Sequence, residues 1–129
     1  MQISKIHHVA IICSDYERSK RFYTETLGFG IIKETFRSER NSYKVDLRVG
    51  DHSQIELFSF PQTPKRVSNP EACGLRHLAF EVVDLDGIHA ELRAQGISTE
   101  DIRLDEITGR RFFFFRDPDD LPLEIYARD

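Results

Sequence analysis

From Ile6 to Cys13 apolar and polar positions alternate, with His8, Ala10 and Ile12 on one side and Val9, Ile11 and Cys13 on the other. That period of two predicts a β-strand. Ser14-Asp15-Tyr16-Glu17 then reads as a capping box, the Ser14 hydroxyl and Glu17 carboxylate satisfying amides at a helix start. The helix runs to about Leu27 and ends at Gly28, which can take the left-handed conformation. Three strand-like runs follow, Phe29 to Arg37, Ser42 to Val49 and Gln54 to Phe60, with a tight turn at Gly50-Asp51. After the proline-containing stretch Pro61 to Gly74 the programme restarts. A strand from Leu75 to Val83 leads to a helix capped by Asp84, stapled by Leu85, Ile88 and Leu92, and ended at Gln95-Gly96. Strands at Ile97 to Leu104, Arg110 to Phe115 and Leu121 to Tyr126 complete it, parted by Thr108-Gly109 and by Asp117-Pro118-Asp119-Asp120.

Each half is therefore β-α-β-β-β. His8 and His77 stand 69 residues apart, as do Asp15 and Asp84, and Gly28 and Gly96 stand 68 apart. A nearly constant offset of this kind marks an internal duplication. The predicted fold class is α+β: two tandem modules, residues 1–60 and 75–129, joined by a linker at 61–74 within one domain of 129 residues.

The formal charge of -4 changes the picture by exclusion. It offers no basic surplus for a nucleic-acid backbone or an anionic membrane. No apolar run reaches the roughly twenty residues of a membrane span, and MQISKIHHVAI lacks a signal-peptide layout, so a soluble cytoplasmic protein is expected. Cys13 and Cys73 match no metal-ligand spacing, and two cysteines make no disulfide framework.

The candidate chemistry lies in the strands. Glu56 shares a face with Gln54, Phe58 and Phe60, while Ile55 and Leu57 point to the helix side; Glu124 is flanked by Leu123 and Ile125 in the same way. A carboxylate in a strand built for burial is costly unless it is paired or bound to a metal. Strand parity puts His8 and His77 on the same faces as the two glutamates, and Glu56 and Glu124 repeat the duplication offset at 68 residues. Two imidazoles and two carboxylates suit one divalent ion, Ni, Zn, Co, Mn or Fe, with coordination positions left for substrate. His7, His52 and His89 have no counterpart at the offset and are assigned no chemistry. In the run Phe112 to Phe115 alternate rings must face opposite layers, so at least two are expected in the core. Lys65-Arg66 reads as a solvated loop pair.

The segments H-H-V-A-I (7 to 11), Q-I-E-L-F (54 to 58), L-R-H-L-A-F (75 to 80) and D-P-D-D-L-P-L-E-I-Y (117 to 126) resemble the vicinal oxygen chelate superfamily over essentially the whole chain. That family includes glyoxalase I, methylmalonyl-CoA epimerase, extradiol dioxygenases, fosfomycin-resistance enzymes and bleomycin-binding proteins. The resemblance implies paired modules whose sheets curl around a shared metal site with the helices outside, a homodimer, and metal ligands His8, Glu56, His77 and Glu124. The His-Glu-His-Glu set resembles bacterial glyoxalase I, which implies a lyase or isomerase in which Glu124, or Glu56, moves a proton between neighbouring carbons of a small substrate with vicinal oxygens. Bacterial glyoxalase I holds glutathione with an arginine four residues after its first metal histidine and an asparagine four after its first metal glutamate. Here those positions are Ile12 and Phe60, so a glutathione-independent reaction is expected. Phe58, Phe60, Tyr126, Arg37 and Arg76 are the substrate-binding candidates, with Tyr43, Lys44 and Arg66 nearby. Two alternatives stand beside this reading: an extradiol-type dioxygenase, in which a second carboxylate would fill a position that chemistry prefers free, and a non-catalytic small-molecule-binding protein of the resistance type.

Overall fold

A computed structural model describes all of residues 1–129, and it divides into two units, Met1–Lys65 and Arg66–Asp129. The first contains β1 (Val9–Cys13), α1 (Tyr16–Arg21) continued by a π-helical turn over Phe22–Thr26, β2 (Gly30–Arg37), β3 (Ser42–Val49) and β4 (Ser53–Ser59). The second contains β5 (Leu78–Val82), α2 (Leu85–Ala94), β6 (Arg103–Leu104), β7 (Arg111–Arg116) and β8 (Pro122–Ala127). Each unit is a four-stranded mixed sheet of one topology, β1-β4-β3-β2 in the first and β5-β8-β7-β6 in the second. In both, the strand before the helix pairs in parallel with the last strand of the unit, and the other pairings are antiparallel. The α+β class and the repeated β-α-β-β-β plan are as the sequence predicts.

The pleat sorts each sheet into two faces. In the first unit Leu57 lies opposite Ile11 and Val45, and Ile55 opposite Leu47; all are buried, as are Phe22 and Tyr23 of the π-helical turn. In the second, Phe113 lies opposite Ile125 and Phe115 opposite Leu123, beneath Leu85 and Leu92 of α2. Phe113 and Phe115 are the two core rings expected of the aromatic run. Burying side chains of this size stabilises a unit by roughly 1.5–3 kcal/mol apiece before the entropy of ordering them. Cys13 is buried and Cys73 exposed, and neither forms a disulfide.

Three local expectations are corrected. Asp15, not Ser14, is the N-cap of α1, its carboxylate accepting from the Arg18 amide at 3.1 Å; a carboxylate makes the stronger, charge-assisted bond there. The strands expected from Ile6 and from Leu75 begin only at Val9 and Leu78. Continuing the β1–β4 register backwards puts His7 opposite Ser53, the first residue of β4, and leaves Ile6 with no strand partner, while continuing β5–β8 meets Pro122, which has no amide to offer the ladder. The strand expected over Ile97 to Leu104 shrinks to Arg103–Leu104 plus one bridge between Thr99 and Phe115. Glu100 is the cause: its amide donates to the Phe114 carbonyl at 2.9 Å, and its own carboxylate takes the Phe114 amide at 3.3 Å, a donor that a regular ladder would give to a backbone carbonyl.

Candidate functional site

The face of each sheet turned away from its helix carries the glutamate. Ala10 of β1 lies opposite Glu56 of β4, and His8, two residues earlier, shares its side; Ala79 of β5 lies opposite Glu124 of β8, and His77 again stands two residues earlier. His8 Nδ1 is 3.5 Å from Glu56 Oε2, and His77 Nε2 is 3.1 Å from Glu124 Oε2. Each unit thus brings together one imidazole and one carboxylate at the same register. Neither unit gathers three or more His, Cys, Asp or Glu side chains into one cluster.

Both carboxylates are buried, Glu56 at 6% and Glu124 at 9% exposure, but their surroundings differ. Gln54 Nε2 donates to Glu56 Oε2 at 3.1 Å, and Lys44 Nζ sits 3.4 Å from Glu56 Oε1 and 3.3 Å from Asp46 Oδ1. Burial works to lower the Lys44 pKa, but the hydrogen bond and charge of Asp46, with the charge of Glu56, outweigh it and hold the ammonium above its ordinary value. Glu124 lies opposite Phe114. Its close polar partner is His77, whose Nε2 lies 3.1 Å from Oε2 and whose ring stands edge-on to Phe114 at 5.0 Å. Arg76 Nη1 is 3.0 Å from His77 Nδ1, the ring nitrogen other than the Nε2 that faces Glu124. His7, assigned no chemistry from sequence, has Nδ1 2.9 Å from Nδ1 of His8, so that one ring donates a hydrogen bond to the other.

These donors fit a divalent ion. Two ligands held at roughly 2.1 Å from one ion, at octahedral to tetrahedral angles, lie about 3.0–3.4 Å apart, close to the separations within each His–Glu pair. Imidazole with carboxylate is also the donor chemistry that Zn, Ni, Co, Mn and Fe accept.

Of the substrate-binding candidates, Arg37, Phe58 and Phe60 come together. The Arg37 guanidinium carbon lies 5.0 Å from the Phe58 ring centre and 5.7 Å from that of Phe60, and the two rings stack at 6.2 Å. Arg37 Nη2 donates to Ser42 Oγ at 3.2 Å, while its Nε is buried with no hydrogen-bond partner. Tyr43 stacks instead on Tyr16 at 4.8 Å. In the second unit Tyr126 stacks on Phe112 at 6.2 Å and donates its hydroxyl to Asp105 Oδ2 at 2.9 Å, a bond that lowers the Asp105 pKa. Arg76 divides itself between Glu71, at 2.7 Å, and His77. Arg66 is no free loop residue: its guanidinium donates to the Leu75 and Arg76 carbonyls and to Ser68 Oγ, which tethers the segment carrying His77. Gln54 lies on the Glu56 face as strand parity predicts; sequence reasoning missed Asp46, although the same parity places it on one face with Lys44, opposite Glu56.

Paired β-α-β-β-β units, each presenting a histidine and a buried glutamate at one register, define an α+β scaffold of duplicated modules. The chain belongs to the Glyoxalase/Bleomycin resistance protein/Dioxygenase superfamily, whose profile matches residues 5–125. It is 60% identical over 128 residues to YwkD of Bacillus subtilis (strain 168), covering 99% of this chain and 100% of that protein. It is 52% identical over 126 residues to YaeR of Escherichia coli (strain K12), covering 98% of each. The crystal structure of the glyoxalase family protein from Enterococcus faecalis superposes with a TM-score of 0.89 at 48% identity, over 98% of this chain and 99% of that one. No helix is long and apolar enough to cross a membrane.

Proposed function

We propose that His8, Glu56, His77 and Glu124 together hold one divalent metal ion, and that the protein is a glyoxalase I-like lyase or isomerase moving a proton on a small substrate with vicinal oxygens, without glutathione. The observation that carries this reading is the repeated His–Glu pair, with the same register in both units and a buried carboxylate in each. When bound, the metal would supply charge to stabilise the enediolate left when a proton leaves carbon beside a carbonyl. Glu124 is the base: its carboxylate is approached only by His77, whereas Glu56, beside His8, is also engaged by Lys44 and Gln54. Arg37, with its buried unpaired Nε above Phe58 and Phe60, holds a polar end of the substrate against an aromatic floor. Ile12 and Phe60 offer no polar grip for a charged tripeptide.

Elemental analysis of protein purified without added metal tests the donor set, with about one ion per chain expected. Glu56→Gln and Glu124→Gln should each weaken that ion's affinity about tenfold or more. Unchanged affinity in both variants, or two independent ions per chain, would overturn the four-donor site. The chemistry is checked with hydroxyacetone in deuterated water. The wild type should wash deuterium into the carbon beside the carbonyl, and Glu124→Gln should slow this by about a hundredfold. Oxygen uptake with catechols and no deuterium exchange would point to the dioxygenase class instead.

A further inference from the structure

Where the strand expected over Ile97 to Leu104 fails, the edge of the second sheet is open. A cleft of about 750 Å³ lies there, walled by the loop after α2, by Arg103, by Phe114 to Arg116 and by the segment from Arg66 to Arg76. That volume is typical of small-molecule sites. Its charge runs against that of the chain: four arginines, Arg66, Arg76, Arg103 and Arg116, face two glutamates, Glu71 and Glu100, in a protein of formal charge -4. Two of these arginines keep donors in reserve. Arg103 commits only Nη2, to Glu100 at 3.0 Å, and lies over the rings of Phe112 and Phe114 at 4.8 and 5.7 Å. Arg116 commits only Nη1, to Asp120. The cleft also adjoins the chemistry, because two of its walls touch His77: Arg76 at Nδ1 and Phe114 at the ring edge.

We propose that this cleft binds the oxyanion-bearing arm of the substrate, a carboxylate or a phosphate, with Arg103 and Arg116 as the gripping residues and Phe114 as the surface between that arm and the His77–Glu124 pair. A guanidinium presents paired N–H donors that match the two oxygens of either anion, and its stacking on Phe112 and Phe114 fixes the plane in which it offers them. The substrate class is thereby narrowed to small anions with vicinal oxygens at one end. The proposal rests on the metal reading for the reacting end alone; the anion grip needs no metal.

Metal-stripped full-length protein is titrated with inorganic phosphate, malonate and dimethyl malonate, followed by calorimetry and by backbone amide shifts. One of the two anions should bind at a single site and shift the amides of Thr99 to Arg103 and Phe114 to Arg116, more weakly as salt rises; the neutral ester should not bind. Which anion binds more tightly tells carboxylate from phosphate. Arg103→Gln and Arg116→Gln should each weaken binding at least tenfold while leaving metal affinity within about twofold of wild type, and Arg103→Lys should restore part of the loss. Shifts that map elsewhere on the wild type, equal binding of the ester, or unaltered affinity in both variants would overturn the cleft. Because shift mapping uses the wild type, the proposal can be overturned even if a variant fails to fold. Loss of metal binding with the anion site intact would instead sink the metal reading and spare the grip.

Discussion

Glu34 shows how one side chain can tie a helix to its sheet. It accepts from the Tyr16 hydroxyl and lies 2.7 Å from Lys20 Nζ, both on α1. The hydrogen bond from Lys20, then that from Tyr16, holds the Glu34 carboxyl below its ordinary 4.5 against the opposing effect of burial; Lys20 is raised, chiefly by the same bond. Burial foremost, then Glu34, keeps the Tyr16 hydroxyl protonated far into the alkaline range. Since the folded carboxyl binds its proton less readily than the unfolded one, Glu34 contributes stability that is complete above pH 4.5 and is lost as pH falls through the lower folded value. Glu34→Gln should therefore melt below wild type at pH 7, with the gap closing in acid; a gap constant from pH 7 to pH 3 would refute the assignment. At the same scale the sequence makes the metal-ligand candidates legible, because a histidine and a glutamate recur at one offset. Their environments are not legible in that way. The positions of Lys44 and Asp46 in the first unit are taken in the second by Phe112 and Phe114, an asymmetry visible only once the ladder register is known.

At the scale of elements, helix starts are legible where an aspartate supplies the cap. Asp84 accepts from the Gly87 amide at 2.9 Å and Asp15 from the Arg18 amide at 3.1 Å, so the duplicated aspartates do the same work in both units. Asp15→Ala and Asp84→Ala should each cost about 1 kcal/mol in urea unfolding; no change in the transition midpoint for either would show that its cap is dispensable. Helix ends are legible for a related reason: Gly28 and Gly96 take φ of +75° and +79°, which other residues adopt only with strain. Strand lengths are read less well. Periodicity extends β1, β5 and β6 too far, because it reports what side chains prefer and not whether a partner backbone is there to pair with. Glu100 is the clearest case, a side chain that substitutes for a strand carbonyl and leaves the sheet edge open.

For the molecule as a whole, one ion drawing donors from both units would join their stabilities. A ligand that binds only the folded state adds RT ln(1 + [L]/Kd), about 4 kcal/mol when free metal is a thousand times Kd. In a chain of this size that corresponds to a rise in melting temperature on the order of 10 °C. His8→Ala removes a donor from the first unit and leaves the His77–Glu124 pair of the second untouched. If the four donors serve one ion, this variant should lose most of the metal-induced rise, and His77→Ala should lose it equally, with each chain still melting in a single transition. If each pair held its own ion, either variant would keep about half of the rise and the two units would separate into two transitions on adding metal. Calorimetric scans of the wild type and both variants, with and without zinc, decide between these outcomes. Repeating them over a hundredfold range of protein concentration tests the expected homodimer: if a second copy covers exposed apolar side chains such as Ile12, Ile31 and Phe36, the melting temperature should climb with concentration by mass action, and one that stays flat would count against the dimer.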